Sequence, residues 1–152
     1  MKASPAATIR TRIKICGLTR EQDVDAAVTA GADAVGFVLY PPSPRHVSAQ
    51  RAAELARRLP PFVTPVLLLV NESPAVVAAA CALLPNALLQ FHGDETPAQC
   101  LAAAGARPWL RAARIPLDDS TSFDLLKFAA DHHRAQAILL DAHVEGFGGV
   151  GP

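Results

Sequence analysis

Strand-like apolar runs return at intervals of roughly 20–30 residues, each followed by an Ala-rich stretch of helical spacing, and no other feature restricts the fold so tightly. The runs are Arg12–Cys16, Ala34–Tyr40, Pro65–Val70, Ala87–His92, Trp109–Ile115 and Ala137–Asp141. Between the first two, Arg20 to Ala30 puts Val24, Ala27 and Val28 on one face and stops at Gly31. A second helix is expected from Ser48 as N-cap, carrying Ala52, Leu55, Ala56 and Leu59. The third and fourth open on Ser73-Pro74 and Thr96-Pro97, a capping side chain followed by proline at the first helical position, and the fourth stops at Gly105. The fifth is expected to begin within Asp118–Ser122 and to run to about His133. Repeated βα units predict a parallel sheet with right-handed crossovers.

Two architectures satisfy that pattern, an open doubly wound sheet and a (β/α)8 barrel. Six strands in 152 residues favour the open sheet, because a closed barrel normally takes about 200 residues or more. Side-chain parity favours the barrel. A parallel strand buried on both faces reads as a continuous apolar run. Here Lys14 and Cys16 share one face of the first strand, Gln90 and His92 share one face of the fourth, and Arg111 interrupts the fifth. Ile13, Ile15, Leu89 and Phe91 fall on the opposite faces, where helices are expected to cover them. An inner face that turns polar near a barrel mouth explains this alternation.

Composition narrows the function. Lysine plus arginine equals aspartate plus glutamate, 14 each, so no net field draws nucleic acid or an anionic membrane. Any anionic ligand must be held by local groups. The three cysteines, Cys16, Cys81 and Cys100, are odd in number and lack CxxC spacing, which argues against a disulfide framework or a zinc site and suits a reducing cytoplasm. No run reads as a membrane span; Pro85-Asn86 breaks the longest uncharged one. Residues 1–11 lack acids, carry Arg10 and are expected to be a disordered leader rather than a transit peptide, with one domain over 12–152.

In a parallel α/β structure the C-terminal strand ends face one side, and that side carries the site. Here those ends are Cys16; "PPSPRHVS" with Arg45; Asn71-Glu72; "QFHGDE" with His92, Asp94 and Glu95; and Asp141. Cys81 and Cys100 sit among alanines and leucines and read as core. His132-His133 lie at a helix end, where a cation suits the dipole, and are not read as metal ligands. "GFGGVG", Gly146 to Gly151, spells the dinucleotide fingerprint, but no helix follows before the sequence stops at Pro152, so that reading is rejected.

With these residues in view, the sequence resembles the phosphoribosylanthranilate isomerase family over Ile13 to Gly151. "KICGLT", "SPRHVS", "VNES", "QFHGDE", "LLDA" and "GFGG" occur in family order, and "KICGLT" is the most specific. The resemblance implies a (β/α)8 TIM-barrel fold of which about six units are present and the last two are missing. It implies an Amadori rearrangement of N-(5-phosphoribosyl)anthranilate in tryptophan biosynthesis, without cofactor or metal. Cys16 matches the general base, Asp141 the general acid, and Arg45 the arginine that grips the anthranilate carboxylate; His92, Lys14 and Gln90 complete the expected substrate-binding set. The expected partner is the small phosphosugar substrate, and homo-oligomerisation in which two chains complete each other is left open.

A free thiol near pKa 8.5 is only a few per cent ionised at neutral pH, and Lys14 is expected to favour the thiolate of Cys16. Asp141 must hold a proton for part of the cycle, so an apolar or anionic setting is expected around it. The loops after the seventh and eighth strands usually bind phosphate in such barrels. They are expected to be absent here, and Val150 replaces the family's threonine in "GGTG". The competing reading is a non-catalytic remnant or interaction module that keeps the barrel core.

Overall fold

A computed structural model of the chain describes residues 10–117 and 122–143. Six strands, β1 (Lys14–Cys16), β2 (Ala34–Val38), β3 (Thr64–Leu69), β4 (Leu88–Phe91), β5 (Trp109–Ile115) and β6 (Ala137–Ala142), alternate with five helices among the described residues. These are α1 (Glu21–Thr29), α2 (Ala49–Ala56), α3 (Pro74–Leu83), α4 (Pro97–Ala104) and α5 (Leu125–Asp131). Ser48, Ser73 and Thr96 cap α2, α3 and α4 by accepting from the backbone N–H three residues on, and Thr96 and Gln99 complete a capping box. Each such cap contributes about 1 kcal/mol. The fifth helix departs from expectation. It starts at Leu125 with Asp124 as its cap, whereas residues 118–121 lie outside the described residues.

All strands are parallel and pair in chain order, β1-β2-β3-β4-β5-β6. A doubly wound sheet reverses its order at a switch point, and this one never does. Right-handed crossovers that always step the same way lay every helix on one face and leave the other face to curl inward. The described strands therefore form an α/β arc of TIM-barrel type.

Burial follows that division. The larger core lies between sheet and helices: Val35, Phe37, Leu67, Leu69, Leu89, Phe91 and Trp109 meet Val24, Ala52, Leu55, Val77 and Cys100. Phe91 and Trp109 pack edge to face at 5.7 Å. On the concave side a smaller cluster joins Val38, Leu68 and Val70, with Cys16 and Tyr40 against it. Cys81 and Cys100 are buried, and burial raises both thiols, Cys100 to about 11.

Two expectations about parity fail. Ile13 and Ile15 are 47% and 39% exposed, because β1 is an edge strand whose outer face no described helix fully covers. Arg111 does not face inward. It shares the helix-covered face of β5 with Trp109, is 4% exposed, and donates to the carbonyls of Phe91, Gly93 and Glu95 at 3.1, 3.0 and 3.1 Å. The inward arginine of β5 is Arg114, opposite Asp141 in the register.

The N-terminal arm is tied down from residue 10. Arg10 and Arg12 both pair with Asp33, which also accepts from the Ile13 N–H at 2.8 Å. The rest of the expected leader, residues 1–9, lies outside the described residues. No helix among the described residues is long and apolar enough to cross a membrane.

Candidate active site

The curl of the sheet brings its first and last strands to one cavity. Lys14 and Cys16 from β1, Arg45 and Ser43 from the loop after β2, Gln90 and His92 from the end of β4, and Asp141 from β6 all line a space of about 190 Å³. Val38, Leu68 and Leu139 form its apolar floor. The six expected site residues are thus gathered in one place. A larger cavity of about 480 Å³ lies beside it, lined by Asn71, Glu72, Asp94, Glu95 and Gln99. The carboxylates of that larger cavity repel an anionic ligand, whereas Lys14 and Arg45 in the smaller one attract it.

Cys16 closes a three-residue strand and is partly exposed. Its neighbour in the register is Gly36, where an added Cβ would lie 2.8 Å from Cys16 Sγ and 3.2 Å from Lys14 Cε. The bare backbone of β2 is what leaves the thiol and the lysine stem room on this face. Gly17 follows with φ of 84°, a left-handed conformation that suits glycine. An added Cβ there would meet Arg45 Nη1 at 2.5 Å. Arg45 lies across this glycine and donates to the Cys16 carbonyl at 3.0 Å. Ser43 Oγ in turn accepts from the Arg45 N–H at 3.2 Å. The "SPR" turn and the "CG" step are therefore one device that sets a guanidinium beside a thiol.

On the far side, His92 Nε2 lies 2.9 Å from Asp141 Oδ2, and Gln90 Nε2 lies 3.0 Å from His92 Nδ1. Burial pushes His92 below the ordinary histidine range; the Asp141 hydrogen bond and charge oppose this, and Arg114 and Lys14 add to it. Among the described residues the setting of Asp141 is not the apolar or anionic one expected: its side chain is 43% exposed and rests on an imidazole, and β6 is the last strand of the described arc.

A second polar cluster holds the loop that carries His92. Glu95 Oε1 and Oε2 accept from the Asn71 and Gly93 N–H groups at 2.7 and 2.9 Å, and Arg111 lies 3.3 Å from the same carboxylate. Asn71 Oδ1 accepts from the Asp94 N–H. Glu95 and Asn71 thus serve as loop latches outside the cavity. His132, read from sequence as a cation at a helix end, is buried with its Nε2 accepting from Arg111 Nε at 3.3 Å and its Nδ1 at the Phe128 carbonyl, a pattern of the neutral ring. Sequence reading missed Ser43, Gly36 and Arg114; the strand register was the signal that could have found the last two. Gly146 to Gly151, and with them the glycine run and Val150, lie outside the described residues.

Residues 13–151 match the family model described as N-(5'phosphoribosyl)anthranilate (PRA) isomerase. The chain is 66% identical over 151 residues to an N-(5'-phosphoribosyl)anthranilate isomerase of Leptothrix cholodnii, covering 99% of this chain and 64% of that relative. Among solved structures it resembles the phosphoribosyl anthranilate isomerase of Thermotoga maritima, with TM-score 0.78 and 33% identity over 93% of this chain and 66% of that one. A phosphoribosyl anthranilate isomerase in complex with reduced 1-(o-carboxyphenylamino)-1-deoxyribulose 5-phosphate matches with TM-score 0.69 and 28% identity, over 89% of this chain and 77% of that one. The chain therefore spans just under two thirds of the length of the first of these relatives.

Proposed function

The chain belongs to the N-(5'-phosphoribosyl)anthranilate isomerase family, and from that premise we propose that its cavity carries out the Amadori rearrangement of phosphoribosylanthranilate in the cytoplasm. One observation carries the reading: Cys16 and Asp141, from the first and last described strands, line the same small cavity with a cationic side chain at its mouth.

Asp141 delivers a proton to the ribose ring oxygen, and the ring opens to an iminium. The iminium acidifies the neighbouring C2–H, which Cys16 removes as thiolate. The resulting enolamine tautomerises to the ketone, so every atom of the substrate is kept. Each proton transfer contributes about 10²–10⁴ in rate. Arg45 holds the anthranilate carboxylate, pre-oriented by its bond to the Cys16 carbonyl. A cavity of about 190 Å³ is below the roughly 300–1,000 Å³ of whole-ligand sites, so it encloses the reacting sugar carbons and leaves the phosphate outside.

The test is turnover of phosphoribosylanthranilate, followed by its fluorescence, with the purified chain and with Cys16→Ser and Asp141→Asn. The reading expects turnover in the unmodified chain and a loss of at least about 10²-fold in each variant. No turnover in the unmodified, folded chain contradicts it and favours a non-catalytic remnant. Lys14 favours the Cys16 thiolate on this account. Alkylation of Cys16 in Lys14→Met should then need a higher pH, and an unchanged profile rejects the lysine's role.

A further inference from the structure

Gln90, His92 and Asp141 form a chain of hydrogen bonds from the sheet interior to the cavity mouth. At the inner end Gln90 is 1% exposed, and among the described residues its Oε1 is the buried side-chain polar atom that lacks a partner. The amide nitrogen that faces His92 Nδ1 can only donate, so Nδ1 presents a lone pair. A neutral ring then carries its hydrogen on Nε2 and donates it to an ionised Asp141. A proton on the outer carboxylate oxygen would leave Nδ1 bare; one taken up along the shared Nε2···Oδ2 line leaves a hydrogen on Nδ1, whether the bridging proton stays on Nε2 or on Oδ2. That N–H would face the N–H of the amide. Half a turn of the amide exchanges Nε2 for Oε1 and gives the unpartnered acceptor a donor. Each orientation leaves one amide atom without a partner, so neither is locked.

We propose that Gln90 is a positioning residue whose amide turns over with the protonation of the His92–Asp141 pair, letting the pair gain and lose one proton without stranding a buried imidazole N–H. Water supplies the proton, the pair passes from charge −1 to 0, and Gln90 gains and loses none. Lys14 from β1 and Arg114 from β5 face the imidazole, with Cys16 and Arg45 at the same mouth. Burial first, with both cations adding to it, disfavours an imidazolium against the pull of Asp141 and assigns the bridging proton to the carboxyl. The half-exposed Asp141 thereby holds a proton without the apolar setting that acids of this kind normally need. The consequence for turnover rests on the isomerase reading; the coupling within the triad does not.

The test is a pH titration of the full chain by nuclear magnetic resonance, with ¹⁵N-labelled histidine and ¹³C-labelled aspartate carboxyls, on the unmodified chain, Gln90→Met and Gln90→Glu. In the unmodified chain Asp141 protonation and the appearance of Nδ1–H on His92 share one midpoint. Methionine offers Nδ1–H no acceptor, so in Gln90→Met the midpoint falls by about one pH unit. Glutamate only accepts, so in Gln90→Glu Nδ1 keeps its hydrogen to higher pH and the midpoint rises. The alkaline limb of the rate profile moves with the midpoint in each variant. An Asp141 that titrates while Nδ1 stays unprotonated overturns the proposal, as does a midpoint indifferent to Gln90→Met. If neither variant folds, the unmodified titration decides alone. Coupled titration without any turnover supports the amide's role and refutes the isomerase reading.

Discussion

Cys16 differs from the other two thiols by its surroundings rather than by its chemistry. Cys81 and Cys100 are about 1% exposed or less and held protonated by burial, whereas Cys16 opens on the cavity. Iodoacetamide should therefore label one thiol in the native chain and three after denaturation, with the native label lost in Cys16→Ser; mass spectrometry reads both. Native labelling at Cys100 would contradict the burial argument. The neighbour that permits the thiol its place is Gly36. Gly36→Ala puts a methyl 2.8 Å from Sγ, and a displaced base loses about 10²-fold in turnover even where the fold survives. Retained kcat in a folded Gly36→Ala chain would count against Cys16 as the base. The cysteine itself was legible, since a polar residue ending an apolar strand stands out. Gly36 was not, because its importance depends on which residue the register sets beside it.

At the scale of elements, Arg111 shows where local reading stops. Arg111, the first of two arginines in β5, looked like an inner-face residue, but its parity with Trp109 puts it under the helices. There it ties the ends of β4 and the following loop to α5 through three carbonyls and His132, with Phe128 5.4 Å from its guanidinium. Arg111→Met removes the donor from those carbonyls and the counterion from the 4% exposed Glu95 carboxylate, which keeps only its two backbone N–H bonds. A loss of about 3–5 kcal/mol is expected from urea unfolding. Less than about 1 kcal/mol would mean that the cluster does not act as a unit. The caps at Ser73 and Thr96 were readable because a proline follows each at the first helical position, and Ser48 because its immediate neighbours, Val47 and Ala49, offer no capping oxygen. The start of α5 was not, because Asp118, Asp119, Ser120, Thr121, Ser122 and Asp124 all offer capping oxygens and only the fold selects among them.

For the whole molecule, strand order decides the architecture. The βα alternation left two folds open, and only sequential pairing with the site residues on the concave face selects the barrel type. The same curvature buries His92, and this gives stability a pH dependence with a definite sign. His92 titrates lower folded than unfolded, so below about pH 6.5 the unfolded chain binds more protons. That contribution is complete above the unfolded value and is lost as pH falls through the folded one. Glu21, held at about 2 by Arg51, adds a loss of the same sign in more acidic solution. Urea midpoints should drop from pH 7 to pH 5, and less steeply in His92→Gln; equal slopes would remove His92 as the cause. The central claim is that Cys16 and Asp141 address one sugar from opposite sides. A crystal structure of the chain with reduced 1-(o-carboxyphenylamino)-1-deoxyribulose 5-phosphate tests it most directly. The account predicts the carboxylate on Arg45 and the sugar C2 within about 4 Å of Cys16 Sγ, with Asp141 at the opposite side of the same carbons. A ligand bound in the acidic cavity beside Asn71, or one that touches only one of the two residues, would contradict it.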